Sequence, residues 1–185
     1  MPSLIHQFCP QLRAGRVWEI EPSLLTERGV RAVILDLDNT LVPWHGNDPA
    51  PRAVEWIRAL RDAGIRLCIV SNTHRPGRLR KLAETLGIDY VPSGGKPRRR
   101  GFLHALRLMK VEAGEAAVVG DQVFTDIWGG NRCGLLTILV APLSPREFWG
   151  TRVVSRNLER AMLRMLERQG LEAEELSASR SKGEA

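Results

Sequence analysis

Four apolar residues in a row, AVIL at 32–35, run into Asp36-Leu37-Asp38-Asn39-Thr40. So short and unbroken a run predicts a strand covered on both faces. The pattern returns in IRLCIVSN (65–72), EAAVVGD (115–121) and LLTILVAP (135–142), and more briefly in DYVP (89–92). Between these runs the apolar period changes. In APRAVEWIRALRDAG (50–64), Val54, Ile57 and Leu60 recur at helical spacing and Gly64 supplies the stop. GRLRKLAETLG (77–87) puts Leu79, Leu82, Ala83 and Leu86 on one face, and RGFLHALRLMK (100–110) and TDIWGGNRCG (125–134) read as further helices. PSLLTERG (22–29) opens on Pro and closes on Gly29, as a short helix does.

The two ends read differently from the middle. Residues 3–13 predict a short helix with Leu4, Ile5, Phe8 and Leu12 on one side, so that 1–29 forms a helical leader. SRNLERAMLRMLERQG predicts a C-terminal helix over 155–169, with Leu158, Ala161, Met162, Met165 and Leu166 in a stripe and Arg160, Arg164 and Arg168 opposite. The polar stretch 171–185 reads as a disordered tail. Residues 1–170 are then one domain, and no internal repeat is visible.

Strands alternating with helices imply an α/β fold: a mostly parallel sheet, here of five strands, with helices on both faces. Such sheets bind ligands beyond the C-terminal ends of their strands. The polar residues lie where that rule asks. The first strand ends in Asp36 and Asp38, the second in Ser71-Asn72-Thr73, and the fourth in Gly120-Asp121 with Asp126 beyond. The loop before the fourth helix carries Gly94-Gly95-Lys96-Pro97.

Composition changes this picture little. The 185 residues are 43% hydrophobic and 26% charged, enough for a real core. No stretch approaches the roughly 18 apolar residues of a membrane-spanning helix. The opening MPSLIHQFCPQLRAG has no basic start followed by a long apolar region, so no secretory signal is read there. Three scattered cysteines, with Cys68 inside an apolar run, fit a reduced, cytoplasmic protein better than a disulfide framework. A formal charge of +6 and a pI near 9.9 favour acidic partners: phosphate esters, anionic lipid or nucleic acid. KPRRR (96–100) reads either as a docking patch for such partners or as a solvated helix start. His74 and Arg75 read as a solvated loop beside the second strand, and Trp128 and Trp149 as packing residues.

Three carboxylates, a lysine and a hydroxyl at one sheet edge suit phosphoryl transfer. A carboxylate can act as nucleophile but repels a phosphate dianion, so a cation must neutralise the site. Mg²⁺ does this when held by carboxylates, a backbone carbonyl and waters. A lysine adds charge on the transferring group, and a second acid protonates the leaving oxygen and then activates water.

DLDNTLV, SNT, the lysine of GGKP and GDQVFTD resemble, in order, the four motifs of the haloacid dehalogenase-like phosphatases, over about residues 30–140. More narrowly, PSLLTERGVRAV, DLDNTLV and GDQVFTDIWGGN are similar to the YqeG family of class IIIA enzymes, itself similar to the mitochondrial-type phosphatidylglycerophosphate phosphatases. The resemblance implies a three-layer Rossmann-like fold whose motifs lie in 30–142. It makes Asp36 the nucleophile and a Mg²⁺ ligand. Asp38 becomes the general acid/base, its backbone carbonyl also on the metal. Ser71, the Asn72 backbone and Lys96 hold the phosphate, Asp121 binds Mg²⁺, Asp126 supports the metal, and Thr40 braces the first loop.

The intervals Thr40–Ser71 and Ser71–Lys96 leave no room for a large cap domain. An open site suits a bulky ester or one presented by a membrane. The expected substrate is phosphatidylglycerophosphate, met by a cytoplasmic enzyme peripheral at the inner face of the membrane. A soluble nucleotide, a sugar phosphate or a nucleic-acid 3′-phosphate is the enzymatic alternative. A non-catalytic protein that holds RNA or a partner is the alternative of another class. The sequence leaves the oligomeric state open.

Overall fold

The computed structural model describes residues 4–44, 46–92, 94–144, 161–166, 168, 170–171 and 173–176. The strands are β1 (Leu12–Ala14), β2 (Ala32–Leu35), β3 (Arg66–Val70), β4 (Asp89–Val91), β5 (Ala116–Gly120), β6 (Leu136–Val140) and β7 (Glu174–Leu176). The helices between them are α1 (Pro22–Glu27), α2 (Pro51–Asp62), α3 (Pro76–Leu86), α4 (Arg99–Met109) and α5 (Trp128–Asn131). All seven strands pair in parallel, in the order β4-β3-β2-β5-β6-β1-β7. From β2 the chain steps outward through β3 and β4, then returns to β5 and β6 on the other side. The switch point therefore falls between β2 and β5, where such sheets bind ligands.

Successive residues of a strand face opposite ways, and the two cores follow that alternation. Val33 and Leu35 of β2 join Leu67, Ile69, Ala117 and Val119 in one core under α2 and α3. Ala32 and Ile34 join Cys68, Val70, Ala116 and Val118 in the other, against Phe102, Ala105, Leu106 and Met109 of α4. The result is three layers with the sheet in the middle. Cys68 is a core thiol as expected, and burial, with some help from Asp89, pushes it up to about 12.

The ends of the chain depart from the sequence reading, and they account for two extra strands. Residues 3–13 are not one helix. Leu4–Phe8 is a 3-10 turn, and Leu12–Ala14 pairs with β6, Leu12 opposite Ile138. Side chains pin this leader. Asn131 Nδ2 donates to the carbonyls of Gln7 (2.8 Å) and Cys9 (2.9 Å), its Oδ1 accepts from Thr137 Oγ1 (3.0 Å), and Gln11 N–H donates to Thr137 O (3.1 Å). These bonds hold the chain extended where its own spacing also suited a helix.

Within the stretch read as a disordered tail, Glu174–Leu176 adds β7 to the free edge of β1. Arg28 Nη2 meets Glu174 Oε2 at 2.6 Å and Arg13 Nη1 meets Glu175 Oε1 at 3.7 Å, which fixes this polar strand. Residues 177–185 lie outside the described residues, as do Leu158 and Trp149. Of the C-terminal stripe, 161–166 is helical, Leu166 is fully buried and Met165 is 40% exposed. Among the described residues no helix is long and apolar enough to cross a membrane. None of the described segments between Thr40 and Lys96 forms a cap domain over the sheet edge.

Candidate active site

The apolar run of β2 stops at Leu35, yet the sheet continues one residue further. Asp36 N–H donates to Val119 O at 2.9 Å, so its carboxyl is held at the junction of β2 and β5. The chain then turns sharply. Asn39 has φ +66 and is buried, a left-handed conformation that Asn tolerates better than most residues. Its N–H donates to Val42 O (2.7 Å), and its carbonyl accepts from Leu143 N–H (2.9 Å). This turn follows directly on Asp38. Asp38 Oδ1 accepts from Arg78 Nη1 at 2.7 Å. Thr40 is buried in the same turn, and its Oγ1 has no hydrogen-bond partner among the described residues.

Ser71 and Asn72 follow β3. Ser71 is buried and its Oγ accepts from Thr73 N–H at 3.2 Å. Asn72, expected to act through its backbone, is engaged through its side chain. Nδ2 donates to Lys96 O and Oδ1 accepts from Lys96 N–H, both at 2.8 Å, clamping the lysine's peptide in place. The Gly94-Gly95 loop reaches this position because α4 lies directly against it. A side chain at Gly101 would overlap the carbonyl oxygen of Gly94.

Lys96 is 6% exposed, and its Nζ sits 2.5 Å from Asp36 Oδ1 and 2.6 Å from Asp126 Oδ1. Burial alone would lower its ammonium. The attraction and hydrogen bonds of Asp126 and Asp36 outweigh that and raise it, so it stays charged. Asp36 moves the other way from a typical paired acid. Burial pushes it up from 3.8 to about 6, against the pull of Lys96 and with the added repulsion of Asp126 and Asp38.

Asp121 follows β5 directly and is buried. A π-helical turn, Val123–Ile127, then brings Asp126 back under the strand end, where its Oδ2 accepts from Gln122 N–H at 3.2 Å. Carboxylate oxygens of Asp36, Asp121 and Asp126 lie within 4.8 Å of one another, all buried. Asp36 Oδ2 has no hydrogen-bond partner among the described residues. A buried charge without a partner is costly. Three hard oxygen donors converging beside one such atom fit a divalent cation. Asp126, expected only to support a metal from behind, stands in this cluster itself, whereas the Asp38 side chain lies outside it, with Arg78.

The packing of Asp126 depends on Gly120, since a Cβ there would overlap the Asp126 carboxylate. Gly120→Ala is expected to displace that carboxylate at a cost of about 1–3 kcal/mol, and so to lower the melting temperature by several degrees. Thermal melts with and without Mg²⁺ check this. An unchanged melt with a full Mg²⁺ response would show that Asp126 is not held as described.

The carboxyls of Asp36 and Asp38 open into a cavity of about 800 Å³ that Ser71, Asn72 and Lys96 also line. Trp44, His74, Arg75 and Arg78 line it too. His74 and Arg75, read as solvated, are exposed and face the cavity. Trp128 does not line it and stacks on Phe8, with ring centroids 5.2 Å apart. Arg78 was not anticipated, although a cation in the first turn of a helix works against the helix dipole and was a signal open to reading.

The haloacid dehalogenase-like hydrolase family matches residues 44–134. A Bacillus subtilis protein named as a probable phosphatase, YqeG, is 39% identical over 163 residues, spanning 88% of this chain and 94% of that protein. The chain belongs to the haloacid dehalogenase-like hydrolases. The phosphatidylglycerophosphate phosphatase 1 of Arabidopsis thaliana, chloroplastic/mitochondrial, is 29% identical over 83% of this chain but only 45% of its own length. Among solved structures, an uncharacterized protein from Listeria monocytogenes serotype 4b shares this fold with a TM-score of 0.53. It is 21% identical and covers 75% of this chain and 99% of its own.

Proposed function

We propose that this phosphoric monoester hydrolase works with Mg²⁺ through an aspartyl-phosphate on Asp36, and that its substrate is phosphatidylglycerophosphate presented at a membrane surface. The observation that carries the mechanism is the state of Asp36: buried, paired on one oxygen with Lys96, bare on the other, and grouped with Asp121 and Asp126 at a cavity. Asp36, Asp121 and Asp126 would hold the metal with the Asp38 carbonyl. When bound, the metal neutralises the repulsion between nucleophile and phosphate.

The chain's own groups then account for both steps. A carboxylate oxygen of Asp36 attacks phosphorus as the bond from phosphorus to the ester oxygen breaks, and Asp38 gives that oxygen a proton. In the second step Asp38 takes a proton from water as the water attacks phosphorus. The bond from Asp36 to phosphorus breaks and inorganic phosphate leaves. Ser71 and Lys96 hold the phosphate oxygens, and Asn72 fixes Lys96 through its peptide.

The lipid assignment is supported by the Arabidopsis relative, by the formal charge of +6 and by a cavity without a cap domain among the described residues. Its test is phosphate release from phosphatidylglycerophosphate in mixed micelles, with Mg²⁺ or with EDTA, beside a nucleotide and glycerol phosphate. Release from the lipid at least tenfold faster than from the soluble esters, lost in EDTA, is the expected result. Release from soluble esters alone would discard the lipid and keep the phosphatase. Release from none would discard both.

A further inference from the structure

The reaction described above does not require Arg78, yet this side chain is bound directly to Asp38 and faces the cavity. It sits in the first turn of α3 and is largely buried, its side chain 12% exposed. Three of its five N–H groups are used among the described residues. Nη1 donates to Asp38 Oδ1 at 2.7 Å, while Nε at 3.0 Å and Nη2 at 2.5 Å both donate to Gly46 O. One N–H on each terminal nitrogen remains, and the side chain lines the cavity. A tether for the 43–50 loop needs only the bonds to Gly46. A cation placed where the helix dipole disfavours it, locked in orientation and facing a cavity, suits an anion better.

We propose that Arg78 is the specificity determinant of the site, recognising a second anionic group of the substrate, a phosphodiester joined to the phosphate monoester by a glycerol-sized linker. This rests on the phosphatase reading. The spacing supports it. Asp36 and Asp38 are two residues apart, so their backbones are at most about 7 Å apart, and Asp36, Asp38 and Arg78 line the same cavity. A substrate whose ester phosphate is at Asp36 can therefore present a second anion, one short linker away, to the guanidinium held at Asp38. The two remaining N–H groups, one on each terminal nitrogen, can meet two diester oxygens without breaking the Asp38 bond. Arg75, exposed on the same cavity, adds a movable second charge. Lys96 does not compete for this group, because its bonds to Asp36 and Asp126 keep its ammonium beside the nucleophile, where the ester phosphate would sit.

The test uses the full chain with Mg²⁺ and two soluble probes that differ by one phosphodiester: glycerol phosphate, and glycerol phosphate extended by a phosphodiester-linked glycerol. Wild type is expected to favour the extended probe in kcat/KM by on the order of 10- to 100-fold, the range of a charge-assisted pair. Arg78→Gln is expected to lower both rates but to reduce their ratio at least tenfold, mainly through KM. Arg78→Lys, which keeps the charge and loses the fork, is expected to fall between. A merely structural Arg78 would slow both probes equally and leave the ratio unchanged, which overturns the proposal. So does a wild type with no preference. Should Arg78→Gln not fold, Arg78→Lys and competition on wild type decide: glycerophosphoglycerol, which carries the diester alone, must inhibit competitively. Its failure to do so at millimolar concentration also overturns the proposal. No release from either probe while phosphatidylglycerophosphate micelles are still cleaved overturns this inference alone; no release from probes or micelles would sink the phosphatase reading, and this inference with it.

Discussion

Asp36→Asn is expected to abolish phosphate release, by roughly 10⁴-fold or more, and to leave the fold in place. The loss of turnover follows from the nucleophile, since a neutral amide does not attack phosphorus as a carboxylate does. The survival of the fold follows from the direction of the Asp36 shift. Its carboxyl stands at about 6 rather than 3.8, because burial disfavours the charge more than Lys96 favours it. The folded protein therefore binds that proton more tightly than the unfolded chain does. The penalty for ionising Asp36 is absent below about pH 4, grows in between about pH 4 and 6, and is fully present at neutral pH. Asparagine removes it. Lys96 keeps Asp126 at 2.6 Å, so no buried charge is orphaned. In EDTA at pH 7 the variant should melt at or slightly above the wild-type temperature, and the difference should shrink toward pH 4. Mg²⁺ should stabilise the wild type more than the variant. Thermal melts and a phosphate-release assay read both arms. Residual turnover within tenfold of wild type would remove Asp36 from its role. A collapsed melt would mean that its charge is structural.

The part of the site that proximity in sequence can show was legible. Asp36 and Asp38 stand at the end of an unbroken apolar run, Ser71 and Asn72 at the end of another, and Asp121 at a third. Parallel strands in one sheet must bring those ends to one edge, so the grouping follows from the fold class alone. The central strands were equally clear, because a strand buried on both faces has no polar residue to confuse the period. The edges were not. β7 is Glu-Glu-Leu, a strand exposed enough to carry charges, and nothing in its hydropathy marks it. β1 holds Leu12 at a spacing from Leu4, Ile5 and Phe8 that also suits a helix. What decides it is tertiary: the bonds of Asn131 to the carbonyls of Gln7 and Cys9.

The same limit applies to side chains that the fold brings together over longer distances. The resemblance makes Asp126 a support for the metal, and its place in the sequence, five residues beyond Asp121, does not show how near the cluster it lies. Only the π-helical turn, and the absence of a side chain at Gly120, bring it into the cluster. The bond between Arg78 and Asp38 spans 40 residues, and the same guanidinium also donates to the carbonyl of Gly46 on a third segment. The cation in the first turn of α3 marks Arg78 as unusual, but spacing does not announce Asp38 as its partner.

Lys96→Met should give the largest loss of stability at this site. Lys96 Nζ lies between Asp36 and Asp126, two carboxylates that are 6% and 0% exposed. Its folded value is raised, so its contribution is fully present at neutral pH and is lost only as pH rises beyond the ordinary lysine range. Methionine matches the stem and deletes the charge. Breaking a buried pair by removing one partner costs about 3–5 kcal/mol, because the remaining charge is left uncompensated. For a chain of this length that is a fall in melting temperature of about 6–20 °C. The loop itself should persist, since Asn72 binds the backbone of residue 96 and not its side chain. The deficit must depend on pH in a definite sense. Without the ammonium, Asp36 loses the pull that lowers it and holds its proton to higher pH, so the variant should lie closest to wild type near pH 5 and fall furthest behind near pH 8. Mg²⁺ should recover part of the loss by supplying the missing charge. Phosphate release should fall by about 10²- to 10⁴-fold, as when a preorganised charge is removed from a transferring group. Melts of Lys96→Met from pH 5 to 8, with Mg²⁺ and with EDTA, measure all of this. A variant as stable as wild type across that range would mean that Asp36 and Asp126 do not depend on Lys96, and that the charge balance of the site lies elsewhere.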